Sequence, residues 1–252
     1  MPFSLQQINE SKSTLPFLVY TPFNIDAITA PPLVVFLHGA GERGSDPSLI
    51  LSDGLDETIE RLALPAVILF PQCSLDYRFF HGAMEDRVMS AIDFVSRAYH
   101  TDPARIYLTG FSMGATSSLY LAARNPHKFA AIVSIAVGIT WPGGIEWPPN
   151  LAEDENTRQL FRKMFVNDKR AQFIAEQIRD VPAWFFHGAL DDACPIDESR
   201  QLHAELNKLG TATRLTEYPD LGHVCLNRSF TEAGLFDWLF SHSLALAGYS
   251  TN

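Results

Sequence analysis

The residues Gly110-Phe111-Ser112-Met113-Gly114 form a G-x-S-x-G pentapeptide, which makes Ser112 a nucleophile candidate. A serine hydroxyl attacks a carbonyl only when a neighbouring base takes its proton. The flanking sequence suits that chemistry. The apolar run Ile106-Tyr107-Leu108 comes just before the pentapeptide, and a helical pattern from Met113 to Arg124 comes just after. Ser112 is therefore expected on a sharp strand-to-helix turn, its hydroxyl exposed and its backbone strained. The helix start would aim free amides and a positive dipole end at the reacting oxygen. The bland alternative is a tight turn in which Ser112 merely caps the helix.

A base and an orienting acid follow in chain order. His223, in Leu221-Gly222-His223, comes after the run Thr213 to Tyr218, where a loop histidine can lean over Ser112. Its second ring nitrogen would donate to a carboxylate, which fixes the tautomer and stabilises the imidazolium. Asp191 and Asp192 compete for that role in the loop after Trp184-Phe185-Phe186. Aspartates are also ordinary turn formers. The other histidines fit less well: His81, His100 and His127 come too early, His187 sits at a strand end, and His203 and His242 fall in helical patterns. His38 is expected to be structural.

An oxyanion formed at Ser112 needs two amide donors. One is the residue after the nucleophile, Met113. The other belongs to the loop after the first central strand, His38-Gly39-Ala40-Gly41-Glu42-Arg43-Gly44, and falls on Ala40. Small residues there let backbone approach a tetrahedral intermediate. Glu42 and Arg43 are expected to pair and shape this loop, with a substrate carboxylate as the alternative partner of Arg43. No H-x-x-x-H or Cys/His cluster suggests zinc, and serine chemistry requires no cofactor.

The elements that must position these residues alternate. Short apolar runs at 34–37, 67–70, 106–108, 131–135 and 184–186 read as strands buried on both faces. Thr213 to Tyr218 alternates more and is expected nearer an edge; Phe17 to Thr21 is an early strand expected in an antiparallel pair. Helical patterns cover Met84 to Tyr99, Met113 to Arg124, Asp197 to Leu209 and Thr231 to Leu246. This order predicts an α/β fold, doubly wound around a largely parallel sheet. Length favours one domain over residues 1–252. Thr140 to Asp180 breaks the alternation as a long insertion, expected to be a lid or binding loop. Its Trp141, Trp147, Phe161 and Phe165 are candidates for an acyl or aromatic pocket, or equally for the insertion's own small core.

Composition narrows the remaining choices. The 252 residues are 46% hydrophobic with a net charge of −10, so nucleic acid and anionic lipid are not expected partners. Three cysteines, none in a C-x-x-C pair, read as reduced and mostly buried. Met1 to Glu10 lacks the pattern of a signal peptide, and no apolar stretch is long enough to span a bilayer. The expected location is cytoplasmic. The expected partner is a small-molecule ester, with a homodimer possible in principle.

Several segments together resemble the α/β-hydrolases: Leu37 to Gly44, Pro71-Gln72-Cys73, Asp102 to Gly114, His187 to Asp192 and Tyr218 to His223. The likeness runs from about Phe17 to Leu239. It is nearest to the predicted peptidase and esterase branch, similar to dienelactone-hydrolase-like proteins, polyhydroxybutyrate depolymerases and feruloyl esterases. The resemblance implies an α/β-hydrolase fold, with the 140–180 segment as an inserted cap or lid. It also selects Asp191, which falls on the aspartate of H-G-x-x-D-x-x-V-P, with Cys194 in place of the valine. Two departures bear on substrate: Val224-Cys225-Leu226-Asn227 replaces a tryptophan usual after the base, and the insertion is longer than usual. The expected activity is cleavage of carboxylic esters through an acyl-enzyme. An amidase or peptidase on the same residues is the alternative, and so is a catalytically silent binding protein on this fold.

Overall fold

Each central strand is apolar at consecutive positions because both faces of the sheet are covered. In a strand successive side chains point to opposite faces. Leu33, Val35 and Leu37 accordingly enter one core cluster, while Val34 and Phe36 enter the other. Val67 and Leu69 against Ile68 and Phe70 repeat the division. A computed structural model describes residues 2–10, 13–140 and 155–245. Among these the strands are β1 (Phe3–Glu10), β2 (Ser13–Tyr20), β3 (Leu33–Leu37), β4 (Val67–Pro71), β5 (Ile106–Phe111), β6 (Ala131–Ile135), β7 (Ala183–Gly188) and β8 (Thr213–Tyr218).

They form one sheet in the order β1-β2-β4-β3-β5-β6-β7-β8. The pairs β1/β2 and β2/β4 are antiparallel and the rest are parallel. The expected parallel sheet is present, with β2 antiparallel and β8 at an edge. The strand β1 adds the other edge and was not expected. The chain winds outward in opposite directions from β3 and β5, so a crevice opens at their carboxyl ends, where α/β proteins place ligands.

The helices are α1 (Leu55–Leu62), α2 (Ala83–Tyr99), α3 (Met113–Arg124), α4 (Glu155–Phe165), α5 (Arg170–Gln177), α6 (Ile196–Lys208), α7 (Leu226–Phe230) and α8 (Leu235–Phe240). Of the closing helix expected from Thr231 to Leu246 only α8 forms, and the short α7 ends just before that span. Gly234 lies between them with φ +77, a left-handed conformation that interrupts helical bonding.

The insertion between β6 and β7 holds α4 and α5. Phe161, Met164, Phe165, Ile174 and Ala175 of these helices are buried in the main core. Trp141 and Trp147 lie outside the described residues. No helix among the described residues is long and apolar enough to cross a membrane. The three cysteines are free thiols, with Cys73 and Cys225 buried and Cys194 half-buried.

Candidate active site

Ser112 leaves β5 at φ 52, ψ −115, an unusual conformation for a residue with a side chain. Such a residue costs roughly 1–3 kcal/mol, and its surroundings must hold it there. Its amide donates to the Ile135 carbonyl at 2.9 Å. Gly114 lets the following helix press against β3: a Cβ at that position would stand 1.8 Å from the Leu37 carbonyl oxygen. Met113 begins α3, so its amide has no acceptor within the helix.

The loop carrying Asp191 and the loop carrying His223 are locked together. Ala189 N–H donates to Tyr218 O (2.8 Å) and Leu190 N–H to Leu221 O (2.9 Å). Gly188 makes the close approach possible, because a Cβ there would stand 2.2 Å from the Gly222 carbonyl oxygen.

The structure brings Ser112, His223 and Asp191 into one hydrogen-bonded line. Asp191 Oδ2 lies 2.8 Å from His223 Nδ1, and His223 Nε2 lies 2.8 Å from Ser112 Oγ. A carboxylate can only accept, so Nδ1 carries the ring proton. Nε2 is then free to accept from the serine hydroxyl. Asp191 Oδ1 accepts from the amides of Ala193 (2.9 Å) and Cys194 (2.8 Å). Burial pushes this carboxyl up, but the Cys194 amide, the His223 ring and the Ala193 amide together hold it below the usual carboxylate range. Its side chain has no exposed surface, whereas Asp192 is exposed. The His223 ring rests against Phe111, centroids 5.2 Å apart.

His187 was set aside in the sequence as a strand-end residue, yet it stands directly behind the acid. It is fully buried, with Nε2 at 2.9 Å from Cys194 O and 3.1 Å from Asp191 Oδ2. Both neighbours accept, so Nε2 bears the proton, and Nδ1 accepts from Ser199 Oγ at 2.7 Å. Two histidines thus flank one carboxylate. Only the spacing of His187 and Asp191, four residues apart, hinted at this.

His38 is structural, as expected. The Cys73 amide donates to its Nε2 at 2.9 Å, so its Nδ1 carries the proton and donates to Gly39 O at 2.6 Å. Burial is the main cause that lowers its pKa to about 4, so it is neutral. The expected Glu42–Arg43 pair does not form. Glu42 turns inward, 3.8 Å from His38 Nδ1. Arg43 instead donates Nε to Ala40 O and Nη1 to Tyr77 O, both at 3.0 Å.

A cavity of about 220 Å³ opens at Ser112, lined also by Ala40, Met113, Phe79, Gly138 and Cys194. Both candidate oxyanion residues therefore border it. Phe161 and Phe165 do not. They are 1% and 3% exposed and pack behind Phe79, with Phe165 stacked on it at 6.1 Å. Their apolar bulk is satisfied by the core, and among the described residues Phe79 is the aromatic that meets the cavity. Glu198, which no local pattern marked, fixes the cavity wall after β6. Its carboxylate accepts from the Ile139 amide at 2.5 Å, the Thr140 amide at 3.3 Å and the Thr140 hydroxyl. A second cavity, about 270 Å³, lies on the His223 side against Phe111, Leu221 and Val224.

Comparison with known proteins places this geometry in context. A model of the prolyl oligopeptidase family matches residues 81–243. An uncharacterised peptidase of Bacillus subtilis, YuxL, is 25% identical over 245 residues, covering 88% of this chain and 35% of the relative. The chain thus spans about a third of that relative's length. A thermostable esterase superposes with a TM-score of 0.69 at 24% identity, over 96% of this chain and 63% of that one. An acylaminoacyl peptidase of Pyrococcus horikoshii gives 0.70 at 18% identity, over 100% of this chain and 43% of that one. The fold these share is that of the α/β-hydrolases.

Proposed function

This chain belongs to the prolyl oligopeptidase family, an esterase- and peptidase-like group of α/β-hydrolases, and on that premise we propose that it cleaves carboxylic esters by a Ser112–His223–Asp191 triad. The observation that carries the reading is the unbroken line from Asp191 Oδ2 through His223 to Ser112 Oγ, 2.8 Å at each step.

In the proposed reaction His223 Nε2 takes the hydroxyl proton as Ser112 Oγ attacks the carbonyl carbon. The amides of Ala40 and Met113 receive the oxyanion. Each such donor is worth about 2.7–4 kcal/mol of barrier in a water-poor site. The tetrahedral intermediate collapses when His223 returns the proton to the departing alkoxide, leaving an ester on Ser112. A water activated by the same ring then releases the acid. Asp191 stays ionised throughout and holds the imidazolium. Its lowered pKa suits that duty.

Peptide or amide cleavage on the same residues is the second reading, favoured by the family to which the chain belongs. It needs stronger protonation of the leaving nitrogen by His223. The deciding experiment is hydrolysis of p-nitrophenyl esters of increasing acyl length, beside matched p-nitroanilides, by the wild type and Ser112→Ala. Ester turnover lost in the variant supports the proposal. Turnover confined to the anilides moves the peptidase reading ahead, and turnover that survives in Ser112→Ala removes the serine mechanism.

A further inference from the structure

Two arginines, Arg43 and Arg78, line the cavity at Ser112, and among the described residues no acidic residue does. We propose that this cavity is an acyl pocket for a carboxylate, so that the substrate is an ester whose acyl chain ends in an acid group. The inference rests on the serine-hydrolase reading and adds the substrate class.

Charge is the first reason. The chain carries 29 acidic against 19 basic residues, so two cations and no acid among the described lining residues run against the bulk composition. Arg170, on the insertion near the same wall, stands within ion-pair distance of Glu198. Arg43 and Arg78 have no such partner among the described residues. The acids behind the cavity wall are engaged elsewhere: Asp191 with His223, and Glu198 with the Ile139 and Thr140 backbone.

Preorganisation is the second. Arg43 spends Nε and Nη1 on the carbonyls of Ala40 and Tyr77, which fix the guanidinium plane and leave three N–H donors unassigned. Ala40 is itself the proposed oxyanion residue, so the cation is tied to the reacting centre. Arg78 is exposed at the rim beside Phe79 and supplies a second fork. Planar guanidinium groups suit a carboxylate because two parallel N–H donors meet its two oxygens.

The third reason assigns the pocket to the acyl side. The leaving group must depart toward His223, which gives it a proton. The cavity with Leu221 and Val224 lies on that side, and neither residue borders the Ser112 cavity. The Ser112 cavity, at about 220 Å³, is also smaller than the roughly 300–1,000 Å³ of drug-sized ligand sites, which suits a short acyl chain.

The test compares monomethyl glutarate with methyl pentanoate, two five-carbon acyl chains, by proton release at constant pH. The wild type should favour the glutarate in kcat/KM by about ten- to a hundredfold, the range of a charge-assisted hydrogen bond. Arg78→Gln should collapse that ratio, and added salt should lower it. Equal or better turnover of methyl pentanoate, or a ratio unmoved by Arg78→Gln, overturns the proposal while leaving the serine hydrolase intact. Should neither ester be cleaved, the hydrolase reading fails on these substrates and glutarate binding decides the site. Calorimetric binding to Ser112→Ala that is lost in Ser112→Ala/Arg78→Gln upholds it, and no binding to Ser112→Ala overturns it.

Discussion

Replacing Asp191 by asparagine exchanges one carboxylate oxygen for an NH2 and leaves the shape almost unchanged. The structure dictates which way the amide must turn. If its oxygen faced His223, the NH2 would face the amides of Ala193 and Cys194, which now bond Oδ1 at 2.9 and 2.8 Å. Two backbone donors, Ala193 exposed and Cys194 half-buried, would lose their acceptor and meet an NH2 group instead. The oxygen therefore stays with the two amides, and the NH2 faces His223 Nδ1. The ring must then accept at Nδ1 and carry its proton on Nε2, pointing at Ser112. Every hydrogen bond is satisfied, yet the base no longer accepts. The expected loss in kcat is about 10⁴-fold, or roughly 5 kcal/mol of transition-state stabilisation. The assay is steady-state hydrolysis of a p-nitrophenyl ester, with urea midpoints recorded to show that the fold survives. Asp192→Asn, altering an exposed side chain, should stay within about twofold on the same principle that surface changes are mild. Asp191→Asn within tenfold of wild type, or a larger loss in Asp192→Asn, would refute the reasoning.

Two further outcomes follow from the packing and the buried histidines. Gly188→Ala must push the Gly222 carbonyl from 2.2 Å to an ordinary contact, which displaces the His223 loop by about 1 Å and should cost about a hundredfold in kcat. Wild-type activity in Gly188→Ala would show that the loop contact does not set the base. His81 is fully buried, with neither ring nitrogen hydrogen-bonded, and burial lowers its pKa to about 4. A histidine depressed from the usual value near 6.5 binds its proton in the unfolded chain first, so stability falls as pH drops from about 6.5 towards 4. His81→Phe should flatten that fall, read from urea midpoints at pH 7 and pH 5. An unchanged slope would contradict the assignment.

The site was legible in the sequence where chemistry is local. Ser112 and the Asp191–Asp192 pair each follow an apolar run that ends a buried strand, and His223 follows the alternating edge strand β8, so order along the chain predicted that serine, acid and base meet, while the resemblance chose Asp191 over Asp192. Contacts between distant segments were not legible. Arg43 was expected to seek its neighbour Glu42, but the carbonyls of Ala40 and Tyr77 lie nearer its fork. Phe161 and Phe165 advertise apolar bulk without saying which side of α4 meets the core. The strand β1 left little trace because none of its described side chains is buried, so no apolar stripe was required. Gly234, left-handed at the N-cap of α8, delays the start of the last helix through one backbone angle that a periodic pattern does not record.

The most direct test of the proposed triad is covalent labelling with a fluorophosphonate, mapped by tandem mass spectrometry on the wild type, Ser112→Ala and His223→Ala. The account predicts one adduct on Ser112 in the wild type, none in Ser112→Ala, and strongly slowed labelling in His223→Ala. An unlabelled wild-type Ser112, or labelling that ignores the loss of His223, would contradict it.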